Sequence, residues 1–189
     1  MDWLKNIDPD TLAKFAALEG KRDDDWFLKE SLEIITIAPD STSVYKFWRA
    51  NLDCLNEDLL RILEQWAKKN LTSSRSKKAC ALAKELIFFS DYIQEFPLGS
   101  IAINKELAIK GYQLALTVLT FKKVPQDWAR IQNNLGITYR NRIRGERADN
   151  LETAIACFQE ALKVYTFEAF PYEWAMTQMN LGNAYLERI

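Results

Sequence analysis

Histidine is absent from the 189 residues, and that removes much of the reactive chemistry side chains can perform. Ser–His and Cys–His nucleophile systems and His-containing zinc sites all need an imidazole. Neither phosphate-loop pattern, G-x-x-x-x-G-K-[ST] or G-x-G-x-x-G, occurs. Cys54, Cys80 and Cys157 lie far apart without C-x-x-C spacing, so they are expected to be buried thiols rather than metal or redox groups. The acidic run Asp23, Asp24, Asp25 is explained more simply as a helix N-terminus than as a metal site, because carboxylates favour the positive end of a helix dipole. Arg140, Arg142, Arg144 and Arg147 crowd one stretch, but Glu146 and Asp149 interleave with them. A solvated, salt-bridged turn is expected there rather than a nucleic-acid contact. Amides remain: Asn134 and Asn180 stand 46 residues apart, each both hydrogen-bond donor and acceptor. No enzymatic activity, cofactor or metal is expected.

That 46-residue spacing belongs to the whole C-terminal half. Residues 104–143 align without a gap on residues 150–189, with 20 of 40 positions identical. The identities include Pro125/Pro171, Trp128/Trp174, Asn134/Asn180, Leu135/Leu181, Gly136/Gly182 and Tyr139/Tyr185. A period of this size marks a stacked array in which each unit covers its neighbour's apolar face. Leu151, Ala154, Ile155, Phe158, Ala161, Leu162 and Tyr165 recur at amphipathic-helix spacing. Pro125 and Pro171 suit the first turn of a helix, followed by Asp127 and Glu173 near the positive dipole end.

Projected backwards, the period yields a decayed unit in which Gly99 aligns with Gly145 and Phe88, Phe89, Ser90 align with Asn134, Leu135, Gly136. Upstream the repeat fades, yet helices are predicted over residues 10–19, 25–37, 43–55 and 57–69. The expected organisation is an N-terminal helical cap over 1–72, a degenerate unit over about 73–123, a full unit over about 124–169, and the first helix of a further unit over 170–189. The pattern of 171–189 anticipates another unit. The chain is therefore expected to be part of a longer array and to self-associate through residues 171–189. The formal charge of -1 argues against nucleic-acid or membrane attraction by the whole molecule. No export signal or 18-residue apolar run is seen, so a cytoplasmic location is expected.

The string L-G-x-x-Y at Leu135, Gly136 and Tyr139, followed by Ala154, Phe158, Ala161 and Pro171, resembles the tetratricopeptide (TPR) signature. An all-α solenoid of two-helix units is implied. Gly136 and Ala154 would sit where the two helices approach, and Tyr139 and Phe158 would fill the space between units. A usual unit has about 34 residues. The extra length is expected in the first helix, in the turn after it, and in a second helix of nearly five turns. More closely, "ANLDCLNEDLLRILEQW" (residues 50–66), "FPLGS" (96–100) and the two repeats resemble the N-terminal part of cyanobacterial multi-repeat TPR proteins, often fused to a caspase-like CHAT peptidase. The Cys-His dyad of that peptidase has no counterpart here. The repeats are also similar to those of kinesin light chain.

The resemblance implies a concave groove lined by the first helix of each unit: Arg130, Asn133, Asn134, Ile137, Arg140 and Asn141, then Met176, Met179, Asn180 and Asn183, with Lys84, Phe88 and Asp91 in the decayed unit. A row of Asn carboxamides would hold the backbone of an extended peptide, and Arg130 and Arg140 would favour an acidic ligand or C-terminal carboxylate. The expectation is a regulatory or sensing module that binds a peptide or protein segment. Two alternatives stand beside it: that Asn134 and Asn180 serve the scaffold, and that the chain is an architectural, self-associating segment. Trp128 and Trp174 are expected to pack between units.

Overall fold

The computed structural model describes residues 24–72 and 76–188. Among them, α1 spans Trp26–Ile37, α2 Ser41–Ala50, α3 Glu57–Asn70, α4 Lys77–Glu95, α5 Ile101–Leu116, α6 Pro125–Arg140, α7 Arg147–Ala161 and α8 Pro171–Arg188. The helix predicted over 10–19, Asp23 and Ile189 lie outside the described residues. Side-chain oxygens open four helices: Asp40 accepts from the amides of Thr42 and Ser43, Asn56 from Asp58 and Leu59, Ser76 from Ala79, and Ser100 from Ile103. Such caps satisfy amides that a helix start otherwise leaves unpaired. Pro125 and Pro171 begin α6 and α8, where a missing N–H costs nothing.

The chain is an all-α helical repeat. Hairpins α4–α5 and α6–α7 pack in succession, α8 lies on α7, and α1 and α3 lie on α4 and α5. The 46-residue period is written in contacts as well as letters. Gln113 Nε2 donates to Tyr139 Oη at 3.0 Å, and Gln159 Nε2 to Tyr185 Oη at 3.1 Å. Arg142 pairs with Glu106, and Arg188 with Glu152. Phe121 meets Trp128 edge-to-face at 5.1 Å, and Phe167 meets Trp174 at 5.4 Å. Gly99 and Gly145 both take positive φ, 76° and 77°, a conformation only glycine adopts cheaply. Asn104 and Asn150 secure those turns by donating to the carbonyls of Leu98 and Arg144.

Close approach within the hairpins explains the small residues. A Cβ on Gly136 would stand 2.7 to 3.0 Å from Phe158 ring carbons, so Phe158 packs inside its own hairpin as well as against Ala184 of α8. In the decayed unit the glycine has changed sides: α5 supplies Gly111, whose Cβ would meet Ser90 Oγ of α4 at 2.1 Å. The N-terminal helices share one core with this hairpin. Trp48, fully buried, meets Phe89 and Phe96, and its Nε1 donates to Ser31 Oγ. Tyr45 and Tyr92 donate to the carbonyls of Tyr92 and Pro39.

Three expectations need correction. The second helix of the full unit has 15 residues, close to four turns rather than five. After Ala161 come Val164, Tyr165, Thr166 and Phe167, β-branched and aromatic residues that favour helix weakly. Thr166 Oγ1 instead accepts from the Ala169 amide, and Tyr165 packs on Phe170. The helix predicted over 43–55 ends at Ala50, because Asn51 turns its amide back onto the Phe47 carbonyl and a 3-10 turn follows at Leu52–Cys54. Of the cysteines only Cys157 is buried; Cys54 and Cys80 are half-buried.

Candidate interaction face

Helices α4, α6 and α8 lie side by side, and their facing residues form one polar line. Residues 126, 130, 133, 134, 137, 140 and 141 fall on one side of α6, since a helix advances about 100° per residue. At one end of the line Gln94 Nε2 donates to Tyr112 Oη, which donates to Asp91 Oδ1 at 2.6 Å. Asp91 also accepts from Asn134 Nδ2 and Arg130 Nη1, each at 2.9 Å. Asn133 Nδ2 donates to Asn134 Oδ1, and Asn133 Oδ1 accepts from Thr177 Oγ1 and Asn180 Nδ2 on α8. Thr138 Oγ1 adds a bond to Gln94 Oε1 at 2.7 Å. Side-chain hydrogen bonds thus run unbroken from α4 through α6 to α8.

Electrostatics follow from that closure. Burial, with the Asp91 carboxylate beside it, pushes the Tyr112 hydroxyl well above its ordinary range, so it stays a donor. Arg130 lies over the Phe88 ring at 5.5 Å and is paired with Asp91, so an internal acid already occupies the charge expected to select an acidic ligand. Arg140 Nε stands 3.9 Å from Glu187 Oε1, beyond hydrogen-bond range, and its Nε and Nη1 are buried without a hydrogen-bond partner. The arginine-rich turn is tied down by ion pairs: Arg142 to Glu106, Arg144 to Glu57 and Arg147 to Glu187. The hydrogen-bonded Glu106 carboxylate holds the Arg142 guanidinium above its usual range.

The ten residues singled out by sequence fall into distinct surroundings. Asn133, Asn134 and Asn180 are joined in the polar line, Asn180 being buried. Ile137 packs against Ala154, Phe158 and Ala184. Asn141, Met176 and Met179 are exposed, while Asn183 and Arg140 are half-buried. Trp128 and Trp174 pack with Ala129, Ala161 and Tyr165. Comparison with family models, curated proteins and solved structures returns no match for this chain.

Sequence reasoning did not find Tyr112, Gln94, Thr138 or Thr177. The pairs of this line that bridge neighbouring units are separated by 39, 43, 44 or 47 residues, so no 46-residue comparison lines them up. Asp91, read from sequence as a groove residue of the decayed unit, is also a carboxylate within the apolar run from Leu86 to Ile93, which needs partners if half-buried and so pointed toward them. Among the described residues no Cys, Asp and Glu side chains cluster as a metal ion would require, and no helix is long and apolar enough to cross a membrane.

Proposed function

We propose that the chain is a TPR-type interaction module that holds an extended peptide or protein segment along the face shared by α4, α6 and α8, as a regulatory or sensing part akin to the multi-repeat TPR proteins it resembles. In this reading it is not an enzyme and needs no cofactor. The observation that carries the reading is the polar line from Asp91 to Asn180, bordered by exposed Met176 and Met179. Fixed amides offer backbone recognition, and flexible thioethers adapt to varied side chains.

Within this face the roles divide. Asn180, buried and bonded to Asn133, holds α8 to α6. Asn134, half-buried, donates to Asp91 and accepts from Asn133, and the second lone pair of its carbonyl is the group offered to a ligand. With Arg130 neutralised by Asp91, backbone rather than acidic groups is the main feature recognised.

A test is selection of a phage-displayed random peptide library against the full chain, followed by binding of enriched peptides to an Asn134→Ala/Met176→Asp variant. Enriched peptides should lose at least about tenfold in affinity on the variant, worth about 1.4 kcal/mol, while its thermal unfolding stays cooperative. Absence of enrichment, or equal binding to the variant, would overturn the proposal.

A further inference from the structure

The outer side of α8 is the 46-residue image of a surface whose occupant is visible. On α6, Ala129 is fully buried against Ala161 at the end of α7 and Tyr165 just beyond it, and Gly136 lies under the Phe158 ring. On α8 the counterparts Ala175 and Gly182 are exposed, and a Cβ on Gly182 would meet nothing within 4 Å. Around this notch Met179 is 52% and Leu186 71% exposed. Their counterparts on α6, Asn133 and Arg140, face α8 instead. On either side of the notch α8 keeps the features that make α6 competent: Pro171 at its start, Trp174 against the Phe167 ring, and Tyr185 fixed by Gln159.

We infer that this side of α8 is a docking site for an amphipathic α-helix lying on α8 as α7 lies on α6, with a phenyl-sized ring seated over Gly182 and a small residue three positions later beside Ala175. The chemistry is that of α7 itself, in which Phe158 and Ala161 make the two contacts. The site centres on Ala175 and Gly182, adjoins the α4–α6–α8 face at Met179, and does not depend on that face binding a ligand. Absence of a side chain at residue 182 lets a ring approach the backbone, as at residue 136, and a ring seated there buries a large apolar area.

The probe is a synthetic peptide of residues 146–166 carrying Ala156→Lys, bridged by a lactam between the Glu152 carboxylate and the new lysine amine with loss of water. Both positions face solvent on α7, and the bridge offsets the poor helicity of so short a peptide. Fluorescence anisotropy with the full chain should give saturable binding, weakened at least about tenfold by Gly182→Val in the chain and equally by Phe158→Ala in the peptide. Gly182→Val points into open space and should fold as the wild type does, which a melting curve checks. Hydrogen exchange should slow in residues 175–186 when the peptide binds. The inference is overturned if the peptide does not bind, or if affinity ignores either substitution. Faster exchange in α7, which would mean that the peptide displaces that resident helix, also overturns it. So does sedimentation showing a chain dimer that Gly182→Val abolishes and the peptide cannot dissociate, because the occupant would then be a second copy.

Discussion

Gly136 and Gly182 hold the same place in successive units, yet valine should act oppositely at the two. At residue 136 the new Cβ would lie 2.7 Å from one Phe158 ring carbon and 2.9 Å from another. The ring sits in a fully buried site, so either α7 moves outward or the ring leaves its rotamer. Overpacking of this kind costs about 1 to 3 kcal/mol, and replacing a mid-helix glycine by valine returns only a few tenths. A net loss of about 2 kcal/mol corresponds to a fall of about 4 to 8 °C in Tm for a domain of this size. At residue 182 nothing lies within 4 Å, so valine should leave stability unchanged or raise it by a few tenths of a kcal/mol. Urea unfolding followed by tryptophan fluorescence, at protein concentrations low enough to exclude association, reads both. A double-mutant cycle adds a control: Phe158→Ala costs about 3 to 5 kcal/mol in the wild type and should cost less in the Gly136→Val background, where the added side chain partly fills the cavity. Equal effects of Gly136→Val and Gly182→Val, or strictly additive losses for Gly136→Val and Phe158→Ala, would refute the argument that this contact sets the approach of α6 and α7.

Repeat-equivalent ion pairs should also differ. Glu106→Ala breaks a two-bond pair with Arg142, at 2.7 and 2.8 Å, whose carboxylate side chain is only 13% exposed, and should cost about 1.5 to 3 kcal/mol. Glu152→Ala removes a 3.3 Å pair whose carboxylate side chain is 58% exposed, and denaturant midpoints should shift by less than about 1 kcal/mol. Burial lifts the Cys157 thiol from 9.0 to about 12. The unfolded chain then releases that proton first, and stability from this group is present below pH 9 and lost as pH climbs toward 12. Cys157→Ala should flatten the pH–stability curve across that window by up to about 1.4 kcal/mol per pH unit, and a curve parallel to wild type would contradict it. Asn180→Ala should lower stability by about 1 to 2 kcal/mol because Asn133 and a buried site lose a bond, a result that unfolding midpoints indistinguishable from wild type would refute.

The helices that could be read from sequence were those whose signals were local or periodic. Pro125 and Pro171 announced their helices, Gly99 and Gly145 their turns, and Gly136 its close approach. The breaks at Asn51 and after Ala161 were missed because apolar spacing continues through them. What stops each helix is a side-chain bond to the backbone, Asn51 to Phe47 and the Ala169 amide to Thr166, which no hydrophobic pattern records. At the candidate face Asn133, Asn134, Asn180 and Asp91 were legible as residues of one face, but the bonds that join them were not. Asp91 has Ile137 at its repeat position, so the acid that organises the face belongs to the decayed unit alone. The three-dimensional neighbour of a repeat residue is set by the lateral offset between adjacent helices, and a sequence alignment contains no such offset.

The exchange of the small residue between helices bears on whether the units are interchangeable parts. The first hairpin keeps Ser90 on α4 and Gly111 on α5, whereas the second has Gly136 on α6 and Cys157 at the position matching Gly111. A chimera that carries α7 into the place of α5 would set a Cβ 2.1 Å from Ser90 Oγ and could assemble only if residue 90 became glycine at the same time. Sequence period and steric period therefore do not coincide. The smallest piece that can be shuffled, duplicated or averaged into a consensus is a matched hairpin, α4 with α5 or α6 with α7. Any library built by recombining single helices of this chain should yield folded members only where those hairpins are kept intact.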